Sequence, residues 1–196
     1  LFEDKAAKNV YVCEHVTSSL VMETPAGERK VLATHWEGRE LNSPNDVVVK
    51  SDGTIWFTDP SYGIMSDYEG HKAPMEQKGC YVYRFDPKSG KLAVVAGDVD
   101  RPNGLAFSPD ESKLYVVEAG VTPRVIRVYD VTEGGTKLGK GSVLITAEEK
   151  GTPDGLRIDV DGNLWVGWGM GAEGLDGVAV FNPAGKLIGR IDLPER

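Results

Sequence analysis

Three residues with oxygen-bearing side chains recur in one sequence context. Asn45, Asn103 and Asp154 each follow a proline and open a short apolar run: PNDVVVKSDGTIWFTD from Pro44, PNGLAFSPDESKLYVVE from Pro102 and PDGLRIDVDGNLWVGW from Pro153. Amide and carboxylate oxygens are the donors that hard cations such as Ca²⁺ and Mg²⁺ take, in sets that leave room for water. If the three copies are equivalent units of a repeat, their side chains gather at one mouth and supply such a set. A second reading stands beside this one. Asn-Gly and Asp-Gly are strong turn dipeptides, and turn chemistry alone accounts for Gly104 and Gly155. It does not account for Asp46, because a turn has no need of Asn-Asp, whereas a carboxylate beside neutral oxygens suits an ion or a polar ligand. Asp154, the charged member of the three matched positions, is the first choice for a general base or a metal-bound carboxylate, and Asp46 is the second.

The elements that would position these residues read as strands. The 24 glycines and 11 prolines separate short apolar runs, and no amphipathic stretch of helical length occurs. Each Pro-Asn or Pro-Asp copy holds a strand, a polar turn and a second strand, with Trp56, Tyr115 and Trp165 at matching places. A second half-unit follows each copy: YVYRFDPKSGKL from Tyr81, RVIRVYDVTEGGTKL from Arg124 and GVAVFNPAGKLIGRI from Gly177. Near the start NVYVCEH, SLVMETPAG and RKVLATH supply three more strands, with Gly27 matching Gly90 and Gly185; a first strand is missing there. This predicts an all-β chain, a β-propeller of four-stranded blades, because sandwich strands have no reason to repeat a Pro-Asn signature at one place. At about 50 residues per blade, residues 1–196 make a single partial propeller domain of just under four blades.

Composition narrows the partners. With 22 Lys and Arg against 30 Asp and Glu, the net charge of −8 repels phosphate backbones and anionic lipid surfaces, so neither nucleic acid nor a membrane is expected. No apolar run reaches the roughly 18 residues of a membrane-spanning helix. Cys13 and Cys80 make no disulfide framework. The connection from Pro60 to Lys78 exceeds the roughly 12–15 residues beyond which loops are often lids or disordered. It carries Tyr62, Tyr68 and His71, the last a candidate general base or an exposed polar residue. His15 and His35 lie near strand ends and read as structural or exposed. GGTKLGKGS from Gly134 narrowly misses a phosphate-binding loop, DVDG from Asp159 reads as a hairpin, and GWGMGAEGLDG from Gly167 as a flexible blade loop.

LNSPNDVVVKSDGTIWFTDPSYGI, RPNGLAFSPDESKLYVVEAG and TPDGLRIDVDGNLWVGW resemble the bacterial gluconolactonases of the regucalcin/gluconolactonase family, in the family's order and over nearly the whole chain. The resemblance implies a six-bladed propeller that holds one divalent ion, Ca²⁺ first with Mg²⁺, Zn²⁺ or Mn²⁺ as alternatives, and hydrolyses sugar lactones. It makes Asn103 and Asp154 metal ligands and Asn45 an Asn beside the metal that contacts it or the substrate. Asp46, Tyr62 and His71 are the expected substrate-side residues. The family's further ligand is a Glu in an EGP-type motif; this sequence has no EGP, and Glu3 stands in a different context. Six blades need about 300 residues, so the chain is expected to be an internal part of a longer protein without that ligand or the closing segment. The expected partner is a neutral sugar lactone, in a bacterial cytoplasm or periplasm that these residues do not separate; nothing here bears on oligomeric state. A propeller that binds without catalysing, an inactive fragment and a relative acting on other esters or phosphotriesters stay open, since a fold does not determine chemistry.

Overall fold

The computed structural model describes residues 1–4, 8–169 and 174–194. The chain divides into two compact units, Leu1–Arg101 and Pro102–Arg196, each built on two antiparallel sheets of consecutive strands. The first sheet of the first unit runs in the order β1 (Phe2–Glu3), β2 (Val10–Glu14), β3 (Ser19–Glu23), β4 (Arg29–Ala33). The strand expected to be missing is therefore present: Phe2 pairs with Tyr11 and Glu3 with Val10. Two residues are too short to show the alternation by which a strand is recognised.

A small hairpin of β5 (His35–Trp36) and β6 (Arg39–Glu40) leads into the second sheet, β7 (Val47–Val49), β8 (Ile55–Asp59), β9 (Tyr81–Asp86) and β10 (Lys91–Ala96), with one helical turn, α1 (Tyr62–Met65), between β8 and β9. Every residue of β8 is buried. The core of this unit joins the two sheets through Tyr11, Leu20, Ile55, Phe57 and Tyr83, with the Phe57 and Tyr83 rings stacked at 5.3 Å. Side chains this size contribute about 1.5–3 kcal/mol each when fully buried.

In the second unit β11 (Pro102–Phe107), β12 (Lys113–Glu118) and β13 (Val125–Thr132) form a meander. The sequence pattern ends this sheet at the KL after the glycines, but β14 (Lys137–Leu138) only lengthens β13 by a short hairpin, and the fourth full strand is β15 (Ser142–Thr146), paired from Val125↔Thr146 to Val128↔Ser142. The last sheet is β16 (Pro153–Ile158), β17 (Leu164–Trp168), β18 (Gly177–Phe181) and β19 (Leu187–Asp192) in sequence order. The DVDG stretch is the β16–β17 turn, where the Asp159 carboxylate accepts from the Trp165 indole, the Asn163 side chain and two backbone N–H groups. Those bonds, the Trp165 one foremost, hold its pKa down to about 2. The GWGMGAEGLDG loop falls partly on residues 170–173, outside the described residues.

The repeat seen in the sequence holds in register: Trp56 pairs with Val48, Tyr115 with Ala106 and Trp165 with Arg157. Gly27, Gly90 and Gly185 occupy one turn, between the third and fourth strands of their sheets, at φ of 81°, 68° and 78°. That left-handed backbone is why glycine stands at each of the three. Among the described residues no helix is long and apolar enough to cross a membrane.

Candidate functional site

Asn103 and Asp154 lie inside the first strands of their sheets, and Asn45 in the bulged stretch that leads into β7. In β11, Pro102 pairs with Glu118 and the next pair is Leu105 with Val116, so Asn103 and Gly104 form a bulge. In β16, Pro153 pairs with Trp168 and the next pair is Leu156 with Val166, which puts Asp154 and Gly155 in the same bulge. In the first unit, Asn45 N–H donates to Thr58 O at 2.9 Å while Thr58 N–H donates to Asp46 O at 3.0 Å, so Asn45 and Asp46 share one partner residue. A bulge re-aims the side chain it carries, and bulges gather beside functional sites for that reason. The turn reading of Gly104 and Gly155 is thereby corrected. Neither has a positive φ, and a tight hairpin turn of the Asn-Gly type needs one.

Gly104 has a different cause. A Cβ at this position would stand 2.5 Å from Asp154 O, 2.8 Å from Gly155 Cα and 2.9 Å from Leu156 N. All three are backbone atoms, which cannot rotate aside. The missing side chain lets the bulge of β11 touch the bulge of β16, and so brings Asn103 and Asp154 together within the second unit. Asn103 is half-buried and Asp154 exposed. Among the described residues the Asp154 carboxylate enters no hydrogen bond or ion pair. A carboxylate next to an amide oxygen is chemistry that fits a hard divalent cation. Among the described residues no cluster of three or more His, Cys, Asp or Glu could hold a metal, so any cation here depends on amide oxygens and water as well as Asp154.

In the first unit the segment that carries Asn45 into β7 is clamped by Asp59. Its carboxylate, fully buried, accepts from Asn42 N–H at 3.0 Å and Ser43 N–H at 2.8 Å. Ser43 in turn donates to Pro60 O at 2.7 Å and accepts from Gly63 N–H at 2.9 Å. Burial pushes the Asp59 pKa up to about 7 against the pull of the two N–H donors. The acid form is thus favoured by folding. Its contribution is fully present below the unfolded carboxylate value of about 4 and is lost as pH rises through about 7, a change on the order of a few kcal/mol. The melting temperature of the parent is expected to carry this fall, and Asp59→Asn to lack it; equal slopes in the two proteins would place the effect elsewhere. Burial also pushes the Cys13 and Cys80 thiols above the usual thiol range.

The other anticipated residues separate. Asp46 is buried, and its Oδ1 accepts from Val47 N–H at 2.9 Å, which closes the bulge. Tyr62, on α1, donates its hydroxyl to Arg101 O at 3.4 Å. His71 is exposed and lines a pocket of about 220 Å³ with His15, Ser18, Glu40 and Ile64. The 60–78 connection that carries it is no loose lid. Cβ atoms at Gly63 and Gly70 would come to 2.7 Å from the His15 Cβ and 2.2 Å from Gly63 O, so this chain is packed tightly on itself and on the β2–β3 turn. The sequence assigns Asp59 no role and marks His15 only as structural or exposed, whereas its Nε2 stands 3.4 Å from Asn45 Nδ2. The histidine could have been suspected from its place at the end of the strand next to the repeat.

The chain is similar in sequence and in fold to known proteins. A gluconolactonase of Zymomonas mobilis is 32% identical over 189 residues, 93% of this chain and 51% of that protein. The structure of a gluconolactonase from Xanthomonas campestris superposes with a TM-score of 0.87 at 36% identity, covering 96% of this chain and 60% of that one. A calcium-binding regucalcin from Agrobacterium tumefaciens, at 22% identity and a TM-score of 0.71 over 98% of this chain and 59% of its own, shares the fold. The four sheets are blades of a β-propeller. The chain spans about half the length of the curated relative it matches. The SMP-30/Gluconolactonase/LRE-like region matches residues 1–196, and the chain belongs to that family.

Proposed function

We propose that the protein is a divalent-cation-dependent hydrolase of sugar lactones. What supports this reading is the close approach of two bulged strands at Gly104, which brings the backbone of the bulge carrying Asn103 against that of the bulge carrying Asp154, a residue whose carboxylate enters no hydrogen bond or ion pair among the described residues. Relatives named gluconolactonase at 32% and 36% identity supply the reaction class. Asn103 and Asp154 of the second unit are the cation's protein donors, and Asn45, the matched residue of the first unit, is an oxygen donor to a cation or to the lactone. A bound divalent cation, Ca²⁺ first, polarises a carbonyl oxygen as a Lewis acid, an effect worth several kcal/mol in general. Asp154 holds the proton-accepting carboxylate that activates water against the lactone carbonyl. The two Asn amides orient sugar hydroxyls. Asp46, Tyr62 and His71 are the first unit's candidates for substrate contact, Asp46 with Oδ1 already accepting from Val47 N–H. A net charge of −8 suits a neutral lactone better than a polyanion.

Acid release from gluconolactone, followed with a pH indicator, tests this. Stripping the protein with a chelator is expected to reduce hydrolysis to the spontaneous background, and added Ca²⁺ to restore it. Hydrolysis that survives the chelator contradicts the cation's role; a phosphotriester or simple ester turned over faster than the lactone moves the substrate class.

A further inference from the structure

The first unit carries a contact that the hydrolytic reading leaves unused. His15 closes β2 and opens the turn into β3. Its Nε2 lies 3.4 Å from Asn45 Nδ2, and its Nδ1 lies 4.0 Å from Glu69 Oε2 on the 60–78 connection. The three groups come from separate segments, and each segment is fixed. Ser18, at the far end of the His15 turn, takes a left-handed φ of 44° and is buried; its hydroxyl donates to Asn42 O at 2.9 Å, tying the turn to the segment that leads into Asn45. Gly63 packs on the His15 Cβ so closely that a side chain there would meet it at 2.7 Å. The imidazole is thus held from both sides.

An amide nitrogen can only donate, so Asn45 Nδ2 facing His15 Nε2 requires that ring nitrogen to be the acceptor and the proton to sit on Nδ1. The carboxylate of Glu69 on the Nδ1 side favours that tautomer. With one of its two N–H bonds directed at His15, the Asn45 amide plane is fixed, and its oxygen points to the side away from the imidazole contact. We infer that His15 is a positioning residue, which accepts a hydrogen bond from the Asn45 amide nitrogen and thereby orients the Asn45 oxygen toward the ion or substrate that this residue contacts. This rests on the proposed role of Asn45. Partners that orient a metal ligand in this way typically govern 10–100-fold in metal affinity.

The test compares His15→Leu, which cannot accept a hydrogen bond, with His15→Gln, which can through its side-chain oxygen. Ca²⁺ titrated calorimetrically into the chelator-stripped protein is expected to bind His15→Leu about 10–100-fold more weakly, and His15→Gln within a few-fold of the parent. In the metal-free protein, ¹⁵N spectra are expected to show the Asn45 side-chain NH₂ held in one environment in the parent and in His15→Gln, and averaged in His15→Leu. Parent-like Ca²⁺ binding and a parent-like Asn45 amide in His15→Leu overturn the inference, as does equal weakening in both variants. If neither the parent nor Asp154→Asn binds Ca²⁺, the cation reading fails instead. The amide spectra then decide the inference alone: a locked amide lost only in His15→Leu retains it with the oxygen directed at substrate, and an averaged amide in the parent rejects it.

Discussion

Asp154→Asn is expected to lower divalent-dependent lactone hydrolysis by roughly 10²–10⁴-fold, the usual worth of a positioned general base, while leaving the melting temperature of the metal-free protein almost unchanged. Asn has the shape of Asp and keeps the bulge of β16 intact. The residue is exposed, and its carboxylate has no ion pair or hydrogen bond among the described residues, so no buried partner is orphaned by the change. What disappears is the charge, and with it both the strongest cation donor and the proton acceptor. The loss should fall on kcat and kcat/KM together, as for an interaction made in the transition state. Unchanged turnover would remove Asp154 from the reaction.

The second large effect concerns a residue with no chemistry of its own. Gly104→Val should destabilise the second unit by about 1–3 kcal/mol or more, the scale of overpacking, because the added carbon would stand 2.5–2.9 Å from backbone atoms of Asp154, Gly155 and Leu156. Relief requires β11 and β16 to part, which separates Asn103 from Asp154. The variant should therefore lose Ca²⁺ affinity under conditions where it is still folded. Gly155→Ala is the internal control. No atom lies within 4 Å of its added carbon and its φ is not left-handed, so its stability should stay within about 0.5 kcal/mol of the parent. Denaturant titration of the two variants decides this: equal tolerance of both substitutions would mean that the close approach is not what glycine secures at residue 104.

These two glycines also show how far the sequence could be read. The Pro-Asn and Pro-Asp repeats, the matched aromatics and the turn glycines Gly27, Gly90 and Gly185 are local signals, repeated at one register, and the blades follow from them. Asn-Gly and Asp-Gly are local signals too, but ambiguous ones. The dipeptide that serves a hairpin turn serves a bulge as well, and the reason for Gly104 is a strand that lies some 50 residues away in a repeat of that period. No window along the chain contains both. The same limit hid His15, an isolated imidazole whose meaning lies in Asn45 and Glu69, brought to it by two other segments. Phe2–Glu3 was too short to alternate, and β15 was displaced by the GKG that follows the β14 hairpin. The long 60–78 connection looked loose because length and polarity were all the sequence displayed. Its restraint comes from Ser43, Asp59 and the close approach of Gly63 to Gly70. Side chains that gather by tertiary contact are thus the part that pattern alone does not reach.

The most direct measurement is the position of a cation in crystals grown with Ca²⁺ and, in parallel, with Mn²⁺, whose anomalous scattering identifies it. An ion is expected within about 2.3–2.6 Å of an Asp154 carboxylate oxygen for Ca²⁺, with the Asn103 side-chain oxygen in the same coordination sphere and water filling the remaining positions. An ion bound elsewhere, or none at saturating concentration with the Asn103 and Asp154 side chains turned apart, would contradict a cation site built on the touching bulges of β11 and β16.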